Sequence, residues 1–198
     1  MDNQLNETGS NQAGAGAAPQ PMRPTFEHVQ AFLSGERPGP RGLLLAALLA
    51  KDDDFFEACH DFVQWLFPLN TPSAYHPHAP VLEVAELAKL SPAARAGTEQ
   101  AFDRMMRFYG LVYEDERVVI GPNWNERMQD WAVVTSHNSL RLTRVLRSLS
   151  MQGHQVRAQA LLDFLRGLFV DHLVSVQRRE ELAYWKQAVA RPWVNGLA

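Results

Sequence analysis

Asp52-Asp53-Asp54-Phe55-Phe56-Glu57-Ala58-Cys59-His60-Asp61-Phe62-Val63-Gln64-Trp65-Leu66-Phe67-Pro68 is the stretch from which the fold class can be read. Its three leading carboxylates suit a helix N-terminus, where they cap free amide groups and face the positive end of the dipole. Pro68 ends the pattern. At about 100° per residue, Phe55, Phe56, Cys59, Phe62, Val63, Leu66 and Phe67 share one broad apolar arc, so the spacing predicts one helix over 53–67. On that helix His60 and Gln64 border the arc on one side, and Asp61 and Trp65 lie together on the other. A solvated face ordinarily carries Lys and Glu. Imidazole, carboxylate, amide and indole instead read either as polar groups bonded to neighbouring helices or as the lining of a pocket. His60 and Asp61 are adjacent and so point about 100° apart, which excludes a mutually bonded acid–base dyad.

Working outward, the same period recurs. Phe26 to Leu33 follows the capping residue Thr25, and Ser34 to Pro40 breaks it. Leu43 to Leu49 is apolar on all sides, as in a buried helix. A Pro-rich loop runs from Leu69 to Pro80. Helical patterns follow over Leu82 to Lys89 and over Pro92 to Tyr109, the latter with Pro in its first turn and Gly110 past its end. Leu111 to Gly121 alternates weakly around Glu114-Asp115-Glu116 and is at most one small hairpin. Asn123 to Val134, Asn138 to Met151 with Gly153 as its stop, Gln155 to His172 and Ser175 to Ala190 complete the series. With no alternating strand and helix units, the expected class is all-α, a single multi-helix domain over 25–198. Residues 1–24 are rich in Asn, Gln, Gly, Ala and Pro and read as a disordered tail.

Composition narrows the function classes. The chain has 198 residues, 46% hydrophobic and 21% charged, which is ordinary globular usage. The single Cys59 forms no intrachain disulfide and reads as a small buried hydrophobe, so a reducing, cytoplasmic setting is expected. The longest uncharged apolar run, Gly42 to Ala50, is far short of the roughly 20 residues that a transmembrane helix needs. A net charge of −3 argues against wholesale phosphate binding, and direct nucleic-acid binding is not expected.

Within that acidic chain, 131–162 contains Arg141, Arg144, Arg147 and Arg157 and no acid, a formal +4 against −7 for the remainder. The spacing of three among Arg141, Arg144 and Arg147 makes a stripe along a helix whose other side is Leu142, Val145, Leu146 and Leu149. Such a stripe either clamps a phosphate or carboxylate ligand or pairs with the chain's own acids, such as those of 52–57 or Asp61. The loop Tyr75-His76-Pro77-His78-Ala79-Pro80 adds two histidines that, with His60, suggest a weak three-histidine metal set. No G-x-S-x-G, P-loop, GxGxxG or metalloprotease helix is present. No cofactor is called for.

The block His60-Asp61-Phe62-Val63-Gln64-Trp65-Leu66-Phe67-Pro68, followed by His78-Ala79-Pro80, resembles the signature of the opioid growth factor receptor conserved-region family. Phe102-Asp103-Arg104-Met105, Phe108-Tyr109-Gly110 and the run from His137 to Leu149 support it, over roughly 32–172. The resemblance implies a domain whose animal relatives are described as receptors for an enkephalin peptide, associated with membranes around the nucleus and with restraint of growth. It implies no catalytic residues. The chain departs from those relatives in having no C-terminal repeats and no basic cluster beyond Arg178-Arg179. Its small size, its 16 arginines among 19 basic residues and its Ala/Gly-rich tail resemble a bacterial member. The expectation is a non-enzymatic module that binds a peptide or small anionic ligand through His60, Asp61, Gln64, Trp65, His78, Asn138, Arg141 and Arg144. The alternative is an enzyme or metal-binding protein that uses His60, His76 or His78.

Overall fold

The computed structural model of the chain describes residues 22–132, 136–170 and 179–190. Ten α-helices and one hairpin appear among them: α1 Phe26–Leu33, α2 Leu45–Leu49, α3 Asp53–Ala58, α4 Val63–Leu66, α5 Val84–Leu87, α6 Pro92–Phe108, β1 Leu111–Glu114, β2 Arg117–Ile120, α7 Trp124–Trp131, α8 His137–Gln152, α9 Gln155–Val170 and α10 Arg179–Val189. The class is all-α, as the periodicity predicts. The expected tail, apart from Met22 to Pro24, lies outside the described residues. So do the ends of three expected helices: the stretch beyond Ala132, the stretch beyond Val170 and the start from Ser175.

The long helices form where capping and periodicity agree. The Thr25 side chain accepts from His28 N at α1, Ser91 from Ala94 N at α6 and Ser136 from Asn138 N at α8. Gly153 closes α8 at φ 84°, a conformation that a side-chain-bearing residue resists. The hairpin pairs Leu111 with Ile120 through Glu114 with Arg117. Its two-residue turn places Asp115 and Glu116 at φ 47° and 57°, as a mirror-image turn requires.

Two helices organise the core. Helix α6 packs on α1, α2 and β1, and α8 packs on α9, α10, α5 and α7. Leu142, Val145, Leu146 and Leu149 of α8 are completely buried together with Phe102, Met105, Phe108 and Tyr109 of the α6 end. Gly97 lets α6 and α1 touch, because a Cβ there would sit 1.9 Å from the Leu33 carbonyl oxygen.

One expected element is overturned. The stretch 53–67 is two short helices, α3 and α4, separated by Cys59 to Phe62, with Cys59 extended at φ −94°, ψ 138°. In a continuous helix the Phe56 carbonyl would accept from His60 N and the Cys59 carbonyl from Val63 N. Here both carbonyls accept from Arg141, Phe56 O from Nη1 at 2.8 Å and Cys59 O from Nη2 at 2.7 Å. A charged donor on a distant helix outcompetes the local ladder. The four-residue spacing that put His60 beside Gln64 and Asp61 beside Trp65 therefore does not describe their positions.

Candidate functional site

The eight residues that the sequence nominates fall into three groups. Asp61, Trp65 and His78 line a cavity of about 250 Å³ together with Pro40, Tyr75 and His76. His60 is at the surface, its ring 4.8 Å from that of His137. Behind them lie Gln64, buried on α4, and a framework of the α8 residues Asn138, Arg141 and Arg144.

The framework is an array of donors on α8. Arg141 holds Phe56 O and Cys59 O and also donates to Asn138 Oδ1 at 3.1 Å. Arg144 Nη1 donates to Phe67 O at 3.0 Å, Ser148 Oγ to Pro68 O at 2.8 Å, and Arg147 Nη2 to Asn70 Oδ1 at 2.9 Å. Successive positions on α8 thus grip successive positions of the broken stretch. Of the two readings of the stripe, pairing with the acids of 52–57 or Asp61 does not describe Arg141 and Arg144, which grip main-chain carbonyls, while Arg147 bonds the Asn70 amide. The acids have other partners, Asp53 with Arg104 at 2.8 Å and Asp61 with Arg41 at 2.9 Å. Burial and the neighbouring Arg147 hold the Arg144 guanidinium down at about 10, still charged at neutral pH.

Beside this framework, Glu57 gathers His137, Asn138 and Arg127. His137 Nε2 lies 3.1 Å from its carboxylate, Asn138 Nδ2 3.3 Å and Arg127 Nη2 3.6 Å. Burial, then Arg141, lowers the His137 imidazole pKa, and Glu57 only partly offsets them. Sequence reasoning did not nominate His137; its place one residue past the cap Ser136 was the available signal.

The cavity forms where the turn between α3 and α4 meets the loop before α5. The loop closes at its base by the Leu69–Val81 bridge and the Leu82 N to Leu69 O bond of 3.0 Å. Within it His76 N donates to Ser73 Oγ at 3.2 Å and Ala79 N to His76 O at 3.0 Å. Arg23 Nε donates to Pro77 O at 2.8 Å, so the last residues before α1 reach the rim. The Trp65 ring stands edge-wise to His28 and Phe32, with centroids 5.0 and 5.4 Å away. Burial lowers the His76 pKa against the pull of Asp61, with His60 and Arg144 adding to the lowering, so the site favours the neutral imidazole. Sequence reasoning also missed Arg41 as Asp61's partner, because the Gly39-Pro40-Arg41-Gly42 turn reads only as a helix breaker.

The three-histidine set is not brought together. His60 faces His137, His76 and His78 line the cavity, and among the described residues no group of three His, Cys, Asp or Glu side chains converges to hold a metal. A larger hollow of about 530 Å³ lies between β2 and α9, lined by Val118, Val156, Ala160 and Phe164 among others. It contains none of the nominated residues, whereas the smaller cavity gathers Asp61, Trp65 and His78 and is therefore the candidate site.

Fold and site together define an all-helical scaffold with a small loop-rimmed cavity, and no helix among the described residues is long and apolar enough to cross a membrane. The opioid growth factor receptor (OGFr) conserved region matches residues 31–193, and the chain belongs to that family. It is 34% identical over 158 residues to the opioid growth factor receptor of Mus musculus, covering 76% of this chain and 25% of the relative. With the Homo sapiens receptor it shares 33% identity over 143 residues, 69% of this chain and 21% of the relative. The opioid growth factor receptor-like protein 1 of Mus musculus is 30% identical over 154 residues, covering 74% and 33%. The chain therefore spans a third or less of the length of these curated relatives. No solved structure matches it.

Proposed function

We propose that this chain is a non-enzymatic recognition module and that its cavity, walled by Asp61, Trp65, Tyr75, His76 and His78, receives a segment of a peptide ligand. The observation that carries the reading is the cavity itself. It joins the carboxylate of Asp61 and the indole of Trp65, just before and within α4, to the phenol and two imidazoles of a loop pinned at its base. Concave, largely apolar sites with a few convergent polar groups are the usual form of a ligand site, most of them larger, roughly 300–1,000 Å³, than the 250 Å³ found here. The family supports the same reading, since its relatives are named as receptors for an opioid growth factor. In this reading Asn138, Arg141 and Arg144 act behind the site, holding the main chain that carries Asp61 and Trp65. The expected peptide or small anionic ligand narrows to a peptide, because the donors that would have clamped an anion grip carbonyl oxygens instead.

An enzyme acting through His60, His76 or His78 has less support, because the three are split between two places. Titration of ¹⁵N-labelled protein with an enkephalin pentapeptide, followed by amide and indole resonances, tests the proposal. Saturable shifts at the Trp65 indole and over 75–79 are expected, with Trp131 and Trp185 unmoved in the core. Shifts confined to other parts of the chain, or no saturable shifts at all, would refute it.

A further inference from the structure

The cavity's carboxylate already holds a cation. Arg41 Nε lies 2.9 Å from both oxygens of Asp61. This pair is not built like the ion pairs and bonds of the framework. Its side chains are 51% and 34% exposed, so solvent screens it and it holds weakly. Arg41 also stands at φ 56°, ψ 21°, a left-handed conformation that is strained for a side-chain-bearing residue. Its neighbours in the turn, Gly39 and Gly42, are the residue type that accepts such geometry.

The surroundings of Asp61 favour an organic cation. It is the one carboxylate among the cavity residues, whose other polar side chains are Tyr75, His76, His78 and the Trp65 indole. A carboxylate beside an indole and a phenol offers a charge-assisted hydrogen bond to a cationic head and aromatic surface to the group around it. No Lys or Arg lines the cavity itself; Arg41 reaches Asp61 from the neighbouring turn, and Arg23 Nε is engaged by Pro77 O at the rim.

We propose that Asp61 is the cation-receiving anchor of the cavity, and that Arg41 is a tethered stand-in which an ammonium group of the incoming peptide displaces. The inference rests on the reading of the cavity as the ligand site and adds the ligand's charge and the group that must leave. The ammonium has two possible sources, a peptide N-terminus and a lysine side chain, and the probes separate them.

Three small molecules serve: phenylalaninamide with its free α-ammonium, Nα-acetyl-lysine N-methylamide with only a side-chain ammonium, and neutral Nα-acetyl-phenylalaninamide. Each is titrated into the full chain, with the Trp65 indole resonance as readout, in wild type, Arg41→Gly, Arg41→Gln and Asp61→Asn. Arg41→Gly removes charge and strain together; Arg41→Gln removes only the charge and stands in should the glycine variant fold poorly. Loss of a screened competing pair predicts that a cationic probe binds about two- to five-fold tighter to the Arg41 variants than to wild type. Asp61→Asn is expected to abolish that binding, and the probe that binds identifies the source. Equal affinity for the neutral and cationic probes, or unchanged affinity in both Arg41 variants, overturns this inference while leaving the cavity as a ligand site. The absence of saturable shifts with all three probes and with the enkephalin peptide overturns both.

Discussion

Two charged regions meet the chain two residues apart, Arg141 at the Cys59 carbonyl and Arg41 at the Asp61 carboxylate, and behave in opposite ways. The arginines of α8 are buried or half-buried and direct donors to the main-chain carbonyls of Phe56, Cys59 and Phe67 and to the Asn70 side-chain amide, whereas Arg41 and Asp61 meet beside the cavity in partial contact with water. The first region is structural because a buried carbonyl without a donor is costly, so every arginine removed exposes that cost. The second can exchange partners because water substitutes for either group at small expense. Charge alone does not mark a binding site; what decides is whether the partner is buried main chain or replaceable solvent.

Substitutions break the comparison at different depths. Arg141→Ala is expected to have the largest effect, since it strips donors from Phe56 O, Cys59 O and Asn138, for about 3–5 kcal/mol in urea unfolding. Arg141→Lys should recover only part of that, because an ammonium lacks the planar fork that reaches two carbonyls at once. Arg144→Ala loses the single bond to Phe67 O and strands no carboxylate, so about 1–2 kcal/mol is expected. A loss well above that would mean that Arg144 balances a charge rather than a carbonyl.

Acidification probes both regions together. The pKa values of His76, His137 and His154 are lowered from 6.5, burial being the largest cause at each. At His154 burial outweighs the attraction of Glu99, which lies 3.3 Å away. A lowered folded-state pKa means that the unfolded chain binds more protons below 6.5. Stability should therefore be flat above neutrality and fall as the pH drops through 6.5 towards the folded-state values. Melting temperatures from pH 8 to pH 5 check this, and a rise on acidification would reverse the assignment.

Asp61→Asn is expected to cost under about 1 kcal/mol, as for an exposed pair, while changing ligand titrations. A larger loss would make the Arg41 contact a structural latch like those of α8. Deleting residues 1–22 should leave the melting temperature unchanged because Arg23, which holds Pro77 O, is retained. Extending the deletion through Arg23 should loosen the rim alone, visible as faster amide exchange over 75–79.

Much of the molecule is legible in its primary structure. The apolar period of three to four positions, the caps Thr25, Ser91 and Ser136, and the glycine stop at Gly153 determine where the long helices lie, because each depends on neighbours within a turn. The hairpin around Asp115-Glu116, the absence of enzyme motifs and the family are legible for the same reason: they are local patterns. The preference for arginine over lysine is also visible, 16 of 19 basic residues, but not its use. Short helices such as α2, α3, α4 and α5 leave terminal carbonyls unpaired, and Arg95, Arg104, Arg127, Arg141 and Arg144 donate to carbonyl oxygens of preceding segments.

What tertiary structure decided is the break at Cys59 to Phe62. The apolar arc of 53–67 is a valid helix in isolation, and nothing within it announces that Arg141, 82 positions beyond Cys59, will take that residue's carbonyl. The same long-range contact turns Asp61 and Trp65 towards the loop of His76 and His78, and a turn around Arg41 then meets them there. Sequence specifies elements through interactions between near neighbours. The cavity arises from the competition of a charged distant donor with the helix's own amides, which is settled only when the segments pack.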